Sequence, residues 1–291
     1  MTDHTKPLIS IVICVRNGES SIGCCIQGIL KQRFDDYELI LIDDASTDKT
    51  ASIIKRFQDS RIKYYKNPQW YGISKSRNEG LKKATGCYIF YTDADCTIED
   101  DWIQEGLNSL RQPKCVGVEG KIVYVSKNYQ PTYSDHVMEN LYGGNFMTGN
   151  AAYRVDILRS VGGFNEKLTY LEDREVAFKI MKFGKILFNP NMIVYHPKVV
   201  LTPKRYIKSA AYTKNRIYLK RFGDKKCFLG PIIFPGNLLK ILFPPAILAS
   251  LFFNKFKTSD DYRLLPLAYV FAVSERLNVW LEGARERVFV I

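Results

Sequence analysis

Histidine is scarce, with three in 291 residues, and the seven cysteines are odd in number and keep no C-x-x-C spacing. Lying mostly within apolar runs, those cysteines read as reduced core thiols of a cytoplasmic protein, not as a disulfide framework. No internal repeat and no low-complexity linker breaks the chain. The only early apolar run, Leu8 to Val15, is too short to span a bilayer. It has no basic segment before it, and Arg16, Asn17 and Gly18 follow where a signal peptide would carry small residues, so secretion is not expected. Disorder is excluded too, because 46% of residues are hydrophobic and 13% aromatic, enough for one large domain or one domain with an appendage.

Acids are missing from one stretch in particular. Between Lys198 and Lys226 there are ten Lys/Arg and only Asp224 to oppose them, so +9 of the net +12 sits in a single segment. A basic stretch beside an apolar one points to an anionic membrane surface, whereas nucleic acid would call for a charged face spread over the whole body.

The first hundred residues alternate two periodicities. Leu8–Val15, Glu38–Asp43, Ile62–Lys66 and Tyr88–Thr92 are β-branched or aromatic runs bounded by polar residues, and they predict strands. Between them Ile22–Lys31, a segment capped by Ser46-Thr47-Asp48 and running to about Phe57, and Ser74–Ala84 predict helices. This order implies an α/β fold, a parallel sheet covered by helices on both faces, with ligands at the strands' carboxyl edge. Beyond Val116 the pattern mixes strand and loop, with a helix expected over Asp173–Phe183 and strands at Ile186–Phe188 and Ile193–Tyr195. A basic amphipathic helix is expected from Lys204 to Phe222, after Pro203.

Asp93-Ala94-Asp95 leaves the strand Tyr88–Thr92 at that functional edge. Two carboxylates one residue apart can share a hard cation, Mg²⁺ or Mn²⁺, which keeps positions open for substrate phosphates. Asp43-Asp44 ends the second strand at the same edge, and Arg77 lies on the helix before the acidic strand. An acid there can accept from a base or a ribose and an arginine can meet phosphate, so together they outline a nucleotide site. Asp43-Asp44 also reads as a cap before Ser46, and both roles can hold at once. Glu172-Asp173 opens a helix, where acids complement the terminal dipole whatever else they do.

Taken in order, Ile11-Val-Ile-Cys-Val-Arg-Asn-Gly-Glu19, Leu41-Ile-Asp-Asp-Ala-Ser-Thr-Asp48, Ser76-Arg-Asn-Glu-Gly80 and Asp93-Ala-Asp95 resemble the family 2 glycosyltransferases. The likeness continues through Thr148-Gly-Asn150, Val161-Gly-Gly-Phe-Asn-Glu166 and Glu172-Asp173 to about His196. It implies a GT-A fold, a nucleoside-diphosphate sugar donor, a divalent metal and inversion at the anomeric carbon. By the same resemblance, Asp95 is the direct metal ligand, Asp93 contacts ribose or assists the metal, and His196 is a further ligand. Asp44 recognises the base, Val15 and Glu19 line the nucleoside pocket with Arg77 nearby, and Asp173 is the catalytic base. Arg16 departs from the pattern, since many members carry an aromatic there.

Residues 1–203 are thus expected to form the GT-A domain, with a nucleotide half to about residue 115 and an acceptor half over about 116–203; 204–291 would be a membrane-associating extension. Arg216 or Lys214 of the basic helix could reach over the donor diphosphate as a lid. Phe228 to Phe253 is long enough to cross a bilayer, with Lys240 its only charge, but Pro231, Pro235, Pro244 and Pro245 disfavour one straight span. Two interfacial helices or a re-entrant hairpin fit it better, and a buried helical pair is the alternative. The expected protein is an inverting, metal-dependent transferase docked on the inner membrane face, acting on a glycan or lipid-linked acceptor. The rivals are a sugar nucleotidyltransferase, for which no G-x-G-T-R loop is found, and a basic nucleic-acid-binding protein, which leaves Asp93, Asp95 and Asp173 unexplained.

Overall fold

The computed structural model describes residues 6–126, 129–132, 134–210, 257–264 and 266–285. Phe228–Phe253, together with Lys214 and Arg216, lies outside them. Packing divides the chain into two units, Met1–Lys127 with Met138–Pro197, and Asn128–Val137 with Lys198–Ile291.

The first unit runs β1 Ile9–Val15, α1 Ile22–Leu30, β2 Tyr37–Asp43, α2 Thr50–Ile54, β3 Ile62–Lys66, α3 Ile73–Lys83, β4 Tyr88–Asp93 and β5 Thr97–Ile98. It continues with α4 Trp102–Leu110, β6 Cys115–Tyr124, β7 Asn150–Arg154, α5 Val155–Ser160, α6 Glu172–Ile180 and β8 Lys185–His196. The strands form one eight-stranded sheet in the order β3-β2-β1-β4-β7-β6-β8-β5. Strands β1 to β4 are mutually parallel, as the alternation of strand and helix predicts. The sheet is nevertheless mixed, because β7 runs antiparallel to both β4 and β6. The two short strands expected at Ile186–Phe188 and Ile193–Tyr195 are one strand, β8, whose pairing with β6 slips between Gly120 and Lys121.

Side-chain alternation explains why both sheet faces are covered. Ile9, Ile11 and Ile13 with Leu39 and Leu41 face Ile22, Ile26 and Ile29 of α1 and Trp102, Ile103 and Leu107 of α4. Their neighbours Val12, Ile40 and Ile42 face Leu81 of α3, Val155 and Leu158 of α5, and Val176 and Ile180 of α6. Burying such a side chain is worth about 1.5–3 kcal/mol, so the two faces hold the first unit together. The six cysteines among the described residues are free thiols, three of them buried.

In the second unit α7 Pro203–Ser209 begins where the basic helix is expected, with Pro203 in its first turn and the Thr202 hydroxyl accepting from the Arg205 N–H at 3.3 Å. Two further helices follow, α8 Ser259–Leu264 and α9 Leu267–Arg285. Buried Asp261 ties this unit together by accepting from the backbone N–H groups of Ser134, Lys257 and Thr258 at 2.6–2.8 Å. Burial opposes its ionisation, yet these bonds outweigh it and hold the carboxyl well below the usual carboxylate range. Among the described residues no helix is long and apolar enough to cross a membrane.

Candidate active site

The carboxyl ends of β1, β2 and β4 lie side by side, with Val15 opposite Asp43 and Cys14 opposite Asp93. Just beyond them opens a pocket of about 200 Å³ whose walls include Cys14, Val15, Arg16, Asp44, Trp70 and Ser76. The two adjacent acids divide the roles expected of them. Asp43 is spent on local structure: its carboxylate accepts from the Ser46 N–H and the Tyr64 hydroxyl, both at 2.7 Å. Asp44 lines the pocket, held by Asn67 Nδ2, Tyr71 N–H and Gly72 N–H at 2.8–2.9 Å. Three donors on a buried carboxylate fix its direction.

Glu19 and Arg77 are elsewhere. The Glu19 carboxylate accepts from the Lys49 N–H at 2.9 Å and its own N–H donates to Asp48 at 3.0 Å, so it ties the β1–α1 loop to the start of α2 and does not line the pocket. Arg77 is buried between acids. It donates to Glu172 Oε1 at 2.8 Å and comes within 3.7 Å of Asp93 Oδ1. Burial works against its charge, but Glu172 and Asp93 more than compensate and hold the guanidinium ionised.

Strand pairing explains why Asp95 meets His196, a hundred residues away. After Asp93 the chain turns, with Cys96 N–H donating to Asp93 O at 3.2 Å, and enters β5, which pairs Thr97 with Tyr195 and Ile98 with Val194. The acidic turn is thereby pinned to the end of β8. Ligand atoms of Asp93, Asp95 and His196 lie within 4.8 Å of one another, and His196 Nε2 is 3.9 Å from Asp95 Oδ1. Donors at about 2.1 Å from an octahedral cation sit about 3 Å apart when adjacent and about 4 Å apart when opposite, so the spacing suits such an ion. The imidazole is oriented for it. Its Nδ1–H donates to Pro197 O at 2.9 Å, which turns Nε2 toward the acids. The donor set therefore fits a divalent cation.

Glu172 and Asp173 open α6, and Leu171 before them adopts left-handed backbone, φ 66°, a conformation an apolar residue holds only under constraint from its surroundings. The loop that leads to it is tied to α3. Asn78 both accepts from Phe164 N–H and donates to Phe164 O at 2.9 Å, and Ser74 donates to Leu168 O at 2.9 Å. Gly163, at φ 67°, lets the loop approach, since a Cβ there would meet Asn78 Oδ1 at 2.5 Å. Asp173 itself is pushed up to about 7, first by burial and then by the charge of Glu172, with Arg77 opposing. That is the range in which a carboxylate can both take and hold a proton at neutral pH.

Two contributors escape a reading of the sequence. Buried Glu119 accepts from Phe146 N–H at 2.9 Å, from Asn140 Nδ2 at 3.1 Å and from Gly144 N–H, and so shapes the loop that leads to Gly149. Its signal was an acid inside β6, which is apolar apart from Glu119 and Lys121. Gly149 reads from sequence as a turn, but its role is clearance, because a Cβ would stand 2.6 Å from Asp93 Oδ2. Gly149→Ala is expected to raise the Mn²⁺ dissociation constant at least tenfold by calorimetry while leaving the circular dichroism spectrum unchanged.

The sequence pattern described as "Glycosyl transferase family 2" matches residues 10–164, more than half the chain. An "Uncharacterized glycosyltransferase" of Haemophilus influenzae is 33% identical over 183 residues, 62% of this chain and 67% of its own. The Escherichia coli UDP-Glc:alpha-D-GlcNAc-diphosphoundecaprenol beta-1,3-glucosyltransferase WfaP is 30% identical over 193 residues, 64% of this chain and 75% of its own. Among solved structures, S. aureus TarS 1-349 in complex with UDP-GlcNAc superposes with a TM-score of 0.60 at 18% identity, over 97% of this chain and 92% of that one. That likeness establishes the GT-A fold of the described sheet. With the family pattern spanning every acid-bearing loop from β1 to β7, the chain belongs to glycosyl transferase family 2.

Proposed function

We propose that the protein transfers a sugar, with inversion, from a UDP-sugar to a hydroxyl of a lipid-linked glycan diphosphate at the cytoplasmic membrane face. The observation that carries this reading is the linkage of two acidic groups through one guanidinium: Arg77 joins the Asp93-Asp95-His196 cluster to the Glu172-Asp173 pair. WfaP, by its name, uses UDP-Glc and a GlcNAc diphosphoundecaprenol, which supports the donor and acceptor classes. The excess of +9 between Lys198 and Lys226 supports docking on anionic lipid. The domain reading, a catalytic 1–203 followed by a membrane-associating 204–291, belongs to the same proposal, as does a lid role for Arg216 or Lys214.

The chemistry follows from the residues. Asp44, with Val15 beside it, holds the nucleoside. Asp93, Asp95 and His196 would hold Mn²⁺ or Mg²⁺, which when bound neutralises charge on the departing diphosphate. Asp173 takes the acceptor hydroxyl's proton as that oxygen attacks the anomeric carbon, and the electron pair of the breaking bond leaves with the diphosphate on the opposite face. Arg77 is a positioning residue, since its guanidinium is engaged by acids on both sides.

A thermal-shift panel of UDP-, GDP- and CDP-sugars with and without Mn²⁺ tests the donor, and transfer of radiolabelled sugar to a GlcNAc-diphospho-polyprenol tests the acceptor. Metal-dependent stabilisation by UDP-sugars and label in the lipid fraction are expected. Stabilisation by no nucleotide sugar would overturn the reading. Truncation before Phe228 is expected to release the protein from membrane fractions with donor binding intact.

A further inference from the structure

Trp70 is the odd residue of the nucleoside pocket. A large indole that lines a pocket is usually packed into its wall, but Trp70 stands 64% exposed. The Arg16 guanidinium lies over one face, 5.0 Å from the ring centroid. Arg16 is exposed and has no hydrogen bond or ion pair among the described residues, so this cation–π contact, worth about 0.5–1 kcal/mol, is all that holds it. A flat delocalised cation thus rests loosely on an aromatic face at the mouth of a pocket whose fixed polar group is Asp44.

We infer that the Trp70 indole is the stacking platform for the donor's base, and that Arg16 is a displaceable cover standing where the base lies. The inference rests on the nucleotide-sugar reading and adds the residue that grips the base. A nucleobase needs a π face as well as an edge partner, and Trp70 is the one aromatic residue among the pocket's walls of Cys14, Val15, Arg16, Asp44, Ile73 and Ser76. Asp44 meets the edge, because its Oδ2 accepts only the Gly72 N–H and keeps a lone pair for a base N–H. Displacing the guanidinium costs about the cation–π energy, and a base stack returns about 1–3 kcal/mol, so the exchange favours the base. Asn17, at φ 53°, directly follows Arg16, and this left-handed residue marks a loop whose backbone is held by its surroundings. Its N–H donates to Ser46 Oγ at 2.9 Å and its Oδ1 accepts from Thr47 N–H at 2.9 Å, so cover exchange falls to the Arg16 side chain.

The test is calorimetric binding of UDP and of pyrophosphate, each with Mn²⁺, to the wild type, Trp70→Ala, Trp70→Phe and Arg16→Ala. Trp70→Ala is expected to weaken UDP about 10- to 100-fold, Trp70→Phe to recover most of that loss, and pyrophosphate to bind all four alike. Arg16→Ala should bind UDP at least as tightly as the wild type. UDP should also quench tryptophan fluorescence in the wild type and not in Trp70→Ala, since neither Trp102, buried with its Nε1 on Asn150 Oδ1 at 2.7 Å, nor Trp280 lines the pocket. UDP affinity within twofold in Trp70→Ala would overturn the inference while leaving the donor reading standing. Failure of the wild type to bind any nucleoside diphosphate would overturn both.

Discussion

Asp173→Asn is expected to lower kcat at least a thousandfold while changing the UDP dissociation constant less than twofold. The asparagine keeps the shape of the side chain but cannot accept the acceptor's proton, and a positioned general base contributes about 10²–10⁴ in rate. The pH profile separates this role from a structural one. Burial and the neighbouring Glu172 raise Asp173 to about 7. The working form is the carboxylate, so wild-type kcat should fall about tenfold per pH unit below that value. An ordinary surface carboxylate in the same role would give a flat profile from pH 5 to 8. A flat profile, or an Asp173→Asn enzyme with a tenth of wild-type kcat, would sink the assignment.

The same shift has a consequence for stability with a definite sign. A carboxyl whose folded value lies above its unfolded one binds its proton more tightly in the native state. Stability is then lost as pH rises from about 4 to about 7, and the cost is complete above that. Asp173→Asn has no proton to lose, so its melting temperature should exceed the wild type's at pH 8 and match it near pH 4. The difference at pH 8 is on the order of a few kcal/mol. Such a gain from removing a buried carboxylate is the expected mark of a site held against its own electrostatics.

What could be read in advance depended on how local its signal was. Strands β1 to β4 announce themselves through short apolar runs, and Asp93-Ala94-Asp95 through its place directly after one of them. The cap expected at Ser46-Thr47-Asp48 falls short of the helix, whose N-cap is Lys49, although Thr50 N–H donates to the Asp48 carboxylate at 3.0 Å. The features that complete the site are made by distant partners. Arg77 and Glu172 are 95 residues apart and Trp102 and Asn150 are 48 apart, and neither pairing leaves a periodic trace. The reversal of direction at β7 is carried by Asn150–Arg154, a five-residue strand whose small residues resemble a loop. Trp70 sits between strand and helix in a segment without periodicity, so nothing in its spacing tells a stacking platform from a surface aromatic.

Asp95→Asn should abolish metal-dependent donor binding and leave a weaker, metal-independent affinity for the nucleoside. Its carboxylate is the more accessible of the pair, 38% exposed against 29% for Asp93, and it alone approaches His196 within 4 Å. Asp93 is partly committed to Arg77, so Asp95 is the oxygen donor with most capacity to spare for a cation. Replacing it by a neutral amide removes one of three donors and a unit of negative charge. Mn²⁺ affinity measured by electron paramagnetic resonance should fall at least fiftyfold, with His196→Ala falling about 10- to 100-fold beside it. Uridine binding, which the proposal assigns to Asp44 and the pocket walls, should be unchanged in both variants, and that control tells loss of the ion from loss of the fold. Equal Mn²⁺ affinity in Asp95→Asn and wild type would show that the turn pinned by β5 against β8 serves architecture alone. In that case the sugar–phosphate bond would have to break with only cationic side chains to receive the leaving charge.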